Sequence, residues 1–197
     1  MQQKSARRSN RDRTETTRAD LIAAARKLFT EKSYAETGTP EIVAAAGVTR
    51  GALYHHFADK QALFAAVVEQ EAAAVAREID RASPPALGAR DALTAGSDAY
   101  LTAMRAPGRT RLLLLDGPAV LGRAEMDAID NRHGNRSLRE GLVAAMRTQS
   151  MKRLPPEALT ALLAAAFDRA ALAIEAGASG EDYRAVLTAL IDGLSPT

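Results

Sequence analysis

Residues 39 to 64, TPEIVAAAGVTRGALYHHFADKQALF, limit what this chain can fold into more than any other stretch. Thr39-Pro40-Glu41 reads as a helix start, because a threonine hydroxyl can accept an orphan amide hydrogen bond and proline is tolerated at the first helical position. A short helix is predicted from Pro40 to Ala46. Gly47 ends it, since glycine enters the left-handed region without steric cost, and Val48 plugs the turn. Thr49 is a second cap, and the next short helix is predicted from Arg50 to His56. Two short helices joined by a tight glycine turn form a helix-turn-helix, which in DNA-binding proteins sets its second helix in the major groove.

The second helix divides into two faces. Leu53 and Phe57, four apart, point inward, leaving Arg50, Gly51, Ala52, Tyr54 and His55 outward. Such a set suits a duplex: Arg50 can donate two hydrogen bonds to guanine, and Gly51 and Ala52 permit close approach to base edges. Thr49, Tyr54 and His55 can donate to phosphate oxygens, and Lys60 adds positive charge on the same side. Ordinary helical cores also produce a helix-glycine-helix pattern, so the outward residues rather than the turn carry the reading.

GVTRGALYHHFADKQALF at 47–64, preceded by TRADLIAAARKLFTEKSYAET at 17–37, resembles the N-terminal DNA-binding domain of the TetR/AcrR family of transcriptional regulators. The resemblance covers about the first third of the chain and implies a homodimeric, mostly repressing, all-helical regulator of double-stranded operator DNA. It also implies phosphate contacts from Thr37 and Thr39, and a C-terminal domain that binds a small-molecule effector. Two departures stand out: Ser33 replaces a usual glycine, and Gly38-Thr39-Pro40 replaces a more common hydroxyl-bearing and charged sequence.

Composition agrees. Of 197 residues 47% are hydrophobic and only 4% aromatic, with no cysteine or tryptophan, the make-up of closely packed helices rather than sheets. The absent cysteines exclude disulfides, thiolate metal sites and a cysteine nucleophile, and fit a cytoplasmic protein. Residues 1–64 hold eleven Lys or Arg against seven Asp or Glu, giving +4, and the remainder fifteen against seventeen, giving −2. Basic charge concentrated on the reading domain releases counterions from phosphates, although so small an excess also describes a solvated surface.

In chain order, residues 1–13 are predicted as a disordered basic arm without an apolar run, hence no leader or membrane segment; it reads equally as a DNA-contacting arm or a solubilising tail. The reading domain is placed at 14–64, its first helix starting at Thr14 or Thr17 and ending near Lys32. The remainder, 65–197, is expected to be an all-helical effector-binding and dimerisation domain, its effector a small apolar molecule. The helix opening at Lys60 is expected to stop before Ser83-Pro84-Pro85. Further helices are predicted over 90–105, over a buried stretch ending at Asp116-Gly117, and over 125–131, 137–148, 155–175 and 182–194. Tyr100, Met104, Leu113, Asp116, Met126, Met146 and Phe167 are candidate walls of an effector pocket, and an ordinary core would hold them equally well. Asp116 and Asp168, in apolar surroundings, are expected to cap or to pair with arginine. The last two helices carry apolar stripes resembling the family's four-helix dimer interface, with Leu159, Leu163, Phe167, Ala170, Ile174, Tyr183, Leu187 and Leu190 as interface candidates; one chain's own core is the other use for them.

Catalysis finds no support in the residues. His55, His56 and His133 have no chelating spacing, and no metalloprotease, phosphate-loop or nucleophile-elbow motif occurs. No catalytic residue, metal or cofactor is expected. The rival class is a ligand-binding or scaffold protein that keeps the fold without reading DNA, against which Arg50, Tyr54 and Lys60 argue.

Overall fold

Alanine, leucine and charged straight-chain residues dominate the chain, and helix is what they form at least entropic cost. The computed structural model describes residues 10–84 and 86–196. Among these it contains ten α-helices, one π-helical turn and no strand. Two compact units divide between Val67 and Val68.

The first unit begins with α1, Asn10–Lys32. Residues 1–9 of the expected arm lie outside the described residues, whereas 10–13 already belong to α1, with no proline or glycine to stop the helix there. α1 ends where the Ser33 amide donates to the Phe29 carbonyl at 3.0 Å, with Ser33 itself at φ 91°. α2 is Thr39–Ala46, and here the expected cap is corrected: Gly38 is the N-cap and no side chain caps the helix. Thr39 is the first helical residue and Pro40 the second, a shift that costs little because the Thr39 N–H has no intrahelical acceptor and Pro40 has no N–H to satisfy. At the other end Gly47, at φ 65°, closes the turn with its amide on Ala44, and Val48 follows with a 3.0 Å bond to the Val43 carbonyl. α3, Arg50–His56, is capped by Thr49, whose hydroxyl accepts from the Ala52 amide at 3.2 Å.

The three helices and the start of α4, Lys60–Ala82, enclose a core of Leu21, Ala25, Phe29, Ile42, Leu53, Leu63 and Phe64, all fully buried. Phe29, Tyr34 and Phe64 pack as an aromatic triad with ring centroids 4.9 to 5.7 Å apart. Each buried ring or leucine contributes about 1.5–3 kcal/mol by leaving water, so Leu53 is what fastens α3 to this core.

The second unit takes the rest of α4 and adds α5, Ala89–Met104, α6, Gly117–Leu121, α7, Arg123–Arg132, α8, Gly134–Arg147, α9, Pro156–Glu175, and α10, Gly180–Asp192. α5, α8, α9 and α10 pack on one another, and α7 packs on α6 and α8. The stretch RLLLLD forms the π-helical turn Arg111–Asp116 and runs on into α6 instead of ending at Gly117. Gly117 has helical dihedrals, and its lack of a side chain has another use: a Cβ there would lie 2.9 Å from the Leu112 carbonyl oxygen and 2.9 Å from Met126 Sδ. Gly134 likewise opens α8 rather than separating it from α7. The break falls at His133, whose ring nitrogen is 2.6 Å from Glu69.

Just before the π-helical turn, Arg109 is buried. Its guanidinium binds Glu71 at 2.8 Å, Glu78 at 3.2 Å and the Ala103 carbonyl at 2.7 Å. Five donors on one planar group let a single side chain hold α4 and the end of α5 together. Glu71 and Glu78, seven apart on the α4 face that buries Val75, were a readable signal for this pairing.

Candidate functional site

The cap at Thr49 and the plug at Leu53 together fix which side of α3 meets solvent. Arg50, Gly51, Tyr54 and His55 are exposed and Ala52 is half-buried, in one contiguous face. Arg50 lies over the Tyr54 ring, 5.5 Å from its centroid, which restrains a long side chain without covering its donors. Hydrogen bonding from Thr39, then Arg50, holds the Tyr54 phenol below its usual pKa, so Thr39 acts here by positioning a residue of α3. Glu41 on α2 is held by Lys32 at 3.0 Å, which offsets a carboxylate otherwise repelling phosphate. His56 is half-buried; burial, then His55 and Arg18, lowers its pKa, keeping it neutral at pH 7.

Two residues expected on this surface are placed differently. Thr37 is 1% exposed, and its hydroxyl donates to the carbonyls of Ser33 at 2.7 Å and Leu28 at 3.3 Å. Its side chain belongs to the turn after α1 and presents nothing to a phosphate. Lys60 is half-buried, with Nζ donating to the carbonyls of Tyr34 at 2.9 Å and Thr37 at 3.0 Å. The ammonium also sits 4.1 Å from the Tyr34 ring centroid. Three donors less two engaged leaves one for a phosphate, so Lys60 is first a clamp on residues 34–37.

In the second unit a cavity of about 830 Å³ opens among α4, α5, the π-helical turn, α7, α8 and α9. Its walls are mostly apolar, a size and character suited to a small organic ligand. Tyr100, Met104, Leu113 and Phe167 line it. Asp116, Met126 and Met146 do not: Asp116 pairs with Arg111 at 3.3 Å, and both methionines are packed in the core. Asp168, expected to cap or to pair with arginine, instead accepts from the Tyr100 hydroxyl at 2.6 Å. Burial, then the charge of Asp168, pushes the Tyr100 pKa well up, so it remains a neutral donor. Sequence reading missed Asp130. It lies in the polar run RAEMDAIDNR, indistinguishable by local pattern from a solvated charge, yet burial and then the charges of Asp168 and Asp127 raise it to about 6.

The interface candidates of α9 and α10 divide by burial. Leu163, Phe167, Ala170 and Leu187 are buried within the unit's own core, while Leu159, Ile174 and Tyr183 are half-buried. Only Leu190 among them is an exposed apolar side chain, at 49%, joined by Leu162 at 71% and Val186 at 58%. The one-residue offset from Leu163 to Leu162 and from Leu187 to Val186 turns each stripe by about 100° around its helix, from core to surface.

Comparison with known proteins covers both units. Residues 21–67 match the bacterial regulatory proteins of the tetR family, and residues 90–195 match the tetracyclin repressor-like C-terminal domain. The HTH-type transcriptional regulator AcrR of Shigella flexneri is 40% identical over 62 residues, 32% of this chain and 29% of that protein. The HTH-type transcriptional repressor AcnR of Corynebacterium efficiens is 34% identical over 68 residues, 34% of this chain and 36% of that one. The match thus spans about a third of these relatives' own length. A crystal structure of a TetR-family transcriptional regulator from Pectobacterium atrosepticum is similar throughout: TM-score 0.76, 35% identity, covering 96% of this chain and 99% of that one.

Proposed function

Because the chain belongs to the TetR family, transcriptional regulators with a DNA-binding helix-turn-helix, we propose that it is a homodimeric repressor that a small molecule releases from operator DNA. It is a regulator and not an enzyme. The observation that carries the DNA half is the exposed α3 face with Arg50 braced on Tyr54. Arg50 reads a base edge, and Thr49, Tyr54 and His55 bond to phosphates, as does the free donor of Lys60. Repression follows the AcnR relatives, which are named repressors. The exposed Leu162, Val186 and Leu190 supply the apolar seam of a two-fold interface. Two-fold symmetry would set the recognition helices on half-sites one turn apart, roughly 34–36 Å.

The 830 Å³ cavity supports the effector half. α4 bears cavity-lining Ala72, Val75 and Ile79 as well as Lys60, so a ligand that prefers one position of this helix would change the hold on residues 34–37. Coupling can be no larger than the ligand's differential affinity for the two states. A regulator working on operator DNA would act in the cytoplasm; among the described residues no helix is long and apolar enough to cross a membrane.

Footprinting of the purified protein on its genomic DNA tests the reading. A protected, dyad-symmetric site with half-sites about one turn apart is expected; uniform weak protection without a preferred site would contradict it.

A further inference from the structure

The acids on the cavity wall outnumber the bases. Asp80, Asp127, Asp130, Glu140 and Asp168 line it against Arg123 alone. Two of the five are accounted for outside it, since Arg136 holds Asp80 at 3.4 Å and Glu140 at 3.2 Å. Asp130 and Asp168 have no ion-pair partner among the described residues. The Tyr100 hydroxyl, 2.6 Å from Asp168, is a neutral donor and supplies no countercharge. Burial raises both carboxyls, and the charges of Asp168 and then Asp127 raise Asp130 further. Arg123 and His133 pull Asp130 the other way, and the Tyr100 hydrogen bond and then Arg123 pull Asp168 the other way, in neither case cancelling the rise.

Two half-buried carboxylates beside an apolar wall are costly unless something positive joins them. A metal ion does not suit: among the described residues no three carboxylates or histidines gather to hold one. The rest of the wall, with Val75, Leu93, Met104 and Phe167, is built for carbon. Tyr100 and Phe167, with ring centroids 5.8 Å apart, add π-faces of the kind that attract a cation. We propose that the effector is an organic monocation, a protonated amine on an apolar body, with its ammonium held by Asp130 and Asp168 beside Tyr100. This rests on the effector-released reading of the same cavity and specifies its ligand.

The test uses the full chain and three probes of one shape: 4-phenylbutylamine, 4-phenylbutan-1-ol and 4-phenylbutyrate, titrated by calorimetry at about pH 7.5, above the Asp130 carboxyl's value of about 6. The amine is expected to bind roughly tenfold or more tightly than the alcohol, with the acid weakest. Asp130→Asn with Asp168→Asn keeps an acceptor for Tyr100, and should remove the amine's advantage over the alcohol; an advantage kept in full would overturn the inference. A second reading needs no variant. At about pH 5.5, amine binding to the unaltered protein should release protons, seen as a dependence of the measured heat on buffer ionisation enthalpy, because a cation lowers the carboxyl pKa. If the double variant does not fold, this decides, and absence of proton release overturns the inference. An amine no tighter than the alcohol also overturns it and leaves the effector cavity standing. Failure of all three probes to bind would overturn the effector reading itself.

Discussion

Ser33 occupies a backbone conformation that its side chain resists. At φ 91° a Cβ crowds the neighbouring carbonyl, and the return is one long bond from the Glu36 amide to Ser33 Oγ at 3.4 Å. Ser33→Gly should therefore stabilise the first unit by about 1 kcal/mol, read as a rise of about 4–8 °C in its melting temperature; an unchanged or lower value would show that the Oγ bond outweighs the strain. Asp130 makes the opposite kind of demand. Its carboxyl is raised to about 6 in the folded chain from an ordinary 3.8, so the folded state binds the proton more tightly, and stability is lost as pH rises from about 4 to about 6. Asp130→Asn should thus raise stability at about pH 7.5 by on the order of 1–3 kcal/mol, read in denaturant unfolding, and change it little at about pH 4. Equal effects at both pH values would contradict a carboxylate whose charge is incompletely compensated. Lys60 has a role that appears only once the chain is folded, as a clamp on residues 34–37. Lys60→Met should lower thermal stability by about 1–3 kcal/mol, through the lost bonds to Tyr34 and Thr37, as well as reduce the salt slope of DNA binding by about one. A lowered slope with unchanged stability would return it to a purely phosphate-facing role.

At the scale of elements, legibility followed the range of the signal. Gly47 and Thr49 act on backbone groups within three or four residues, so the end of α2 and the start of α3 were readable from adjacent letters. The start of α1 was not, because nothing in residues 10–13 marks a boundary. The π-helical turn was missed because four leucines in a row specify burial without specifying period. The stripes of α9 and α10 show the same limit: Leu162 and Leu163 are equally apolar in sequence, and only packing against α5 and α8 decides which one is spent on the chain's own core. Charge placed at Leu162 and Val186 together should accordingly yield a folded monomer in sedimentation, since an interface burying two unpaired charges loses several kcal/mol. The same change at Leu163 and Leu187 should unfold the second unit instead. A folded monomer from the Leu163 and Leu187 pair, with a persistent dimer from the Leu162 and Val186 pair, would reverse the assignment.

For the whole molecule, the division of labour was legible at the reading end and much less so at the sensing end. A helix-turn-helix is a local motif whose outward residues follow from two inward ones, Leu53 and Phe57. A cavity is a property of six packed elements, and Asp130, Asp168 and Tyr100 meet there from three helices whose sequences say nothing of one another. The central claim is that the exposed face of α3 reads DNA, and titration of duplexes chosen by selection from a random pool tests it most directly, comparing the unaltered protein with Arg50→Ala at fixed salt. The selected duplex should bind Arg50→Ala more weakly by about 1–3 kcal/mol, with preference relaxed at one base position and affinity for random duplex nearly unchanged. Equal affinity of the two proteins for the selected duplex, with the same base preferences, would contradict it.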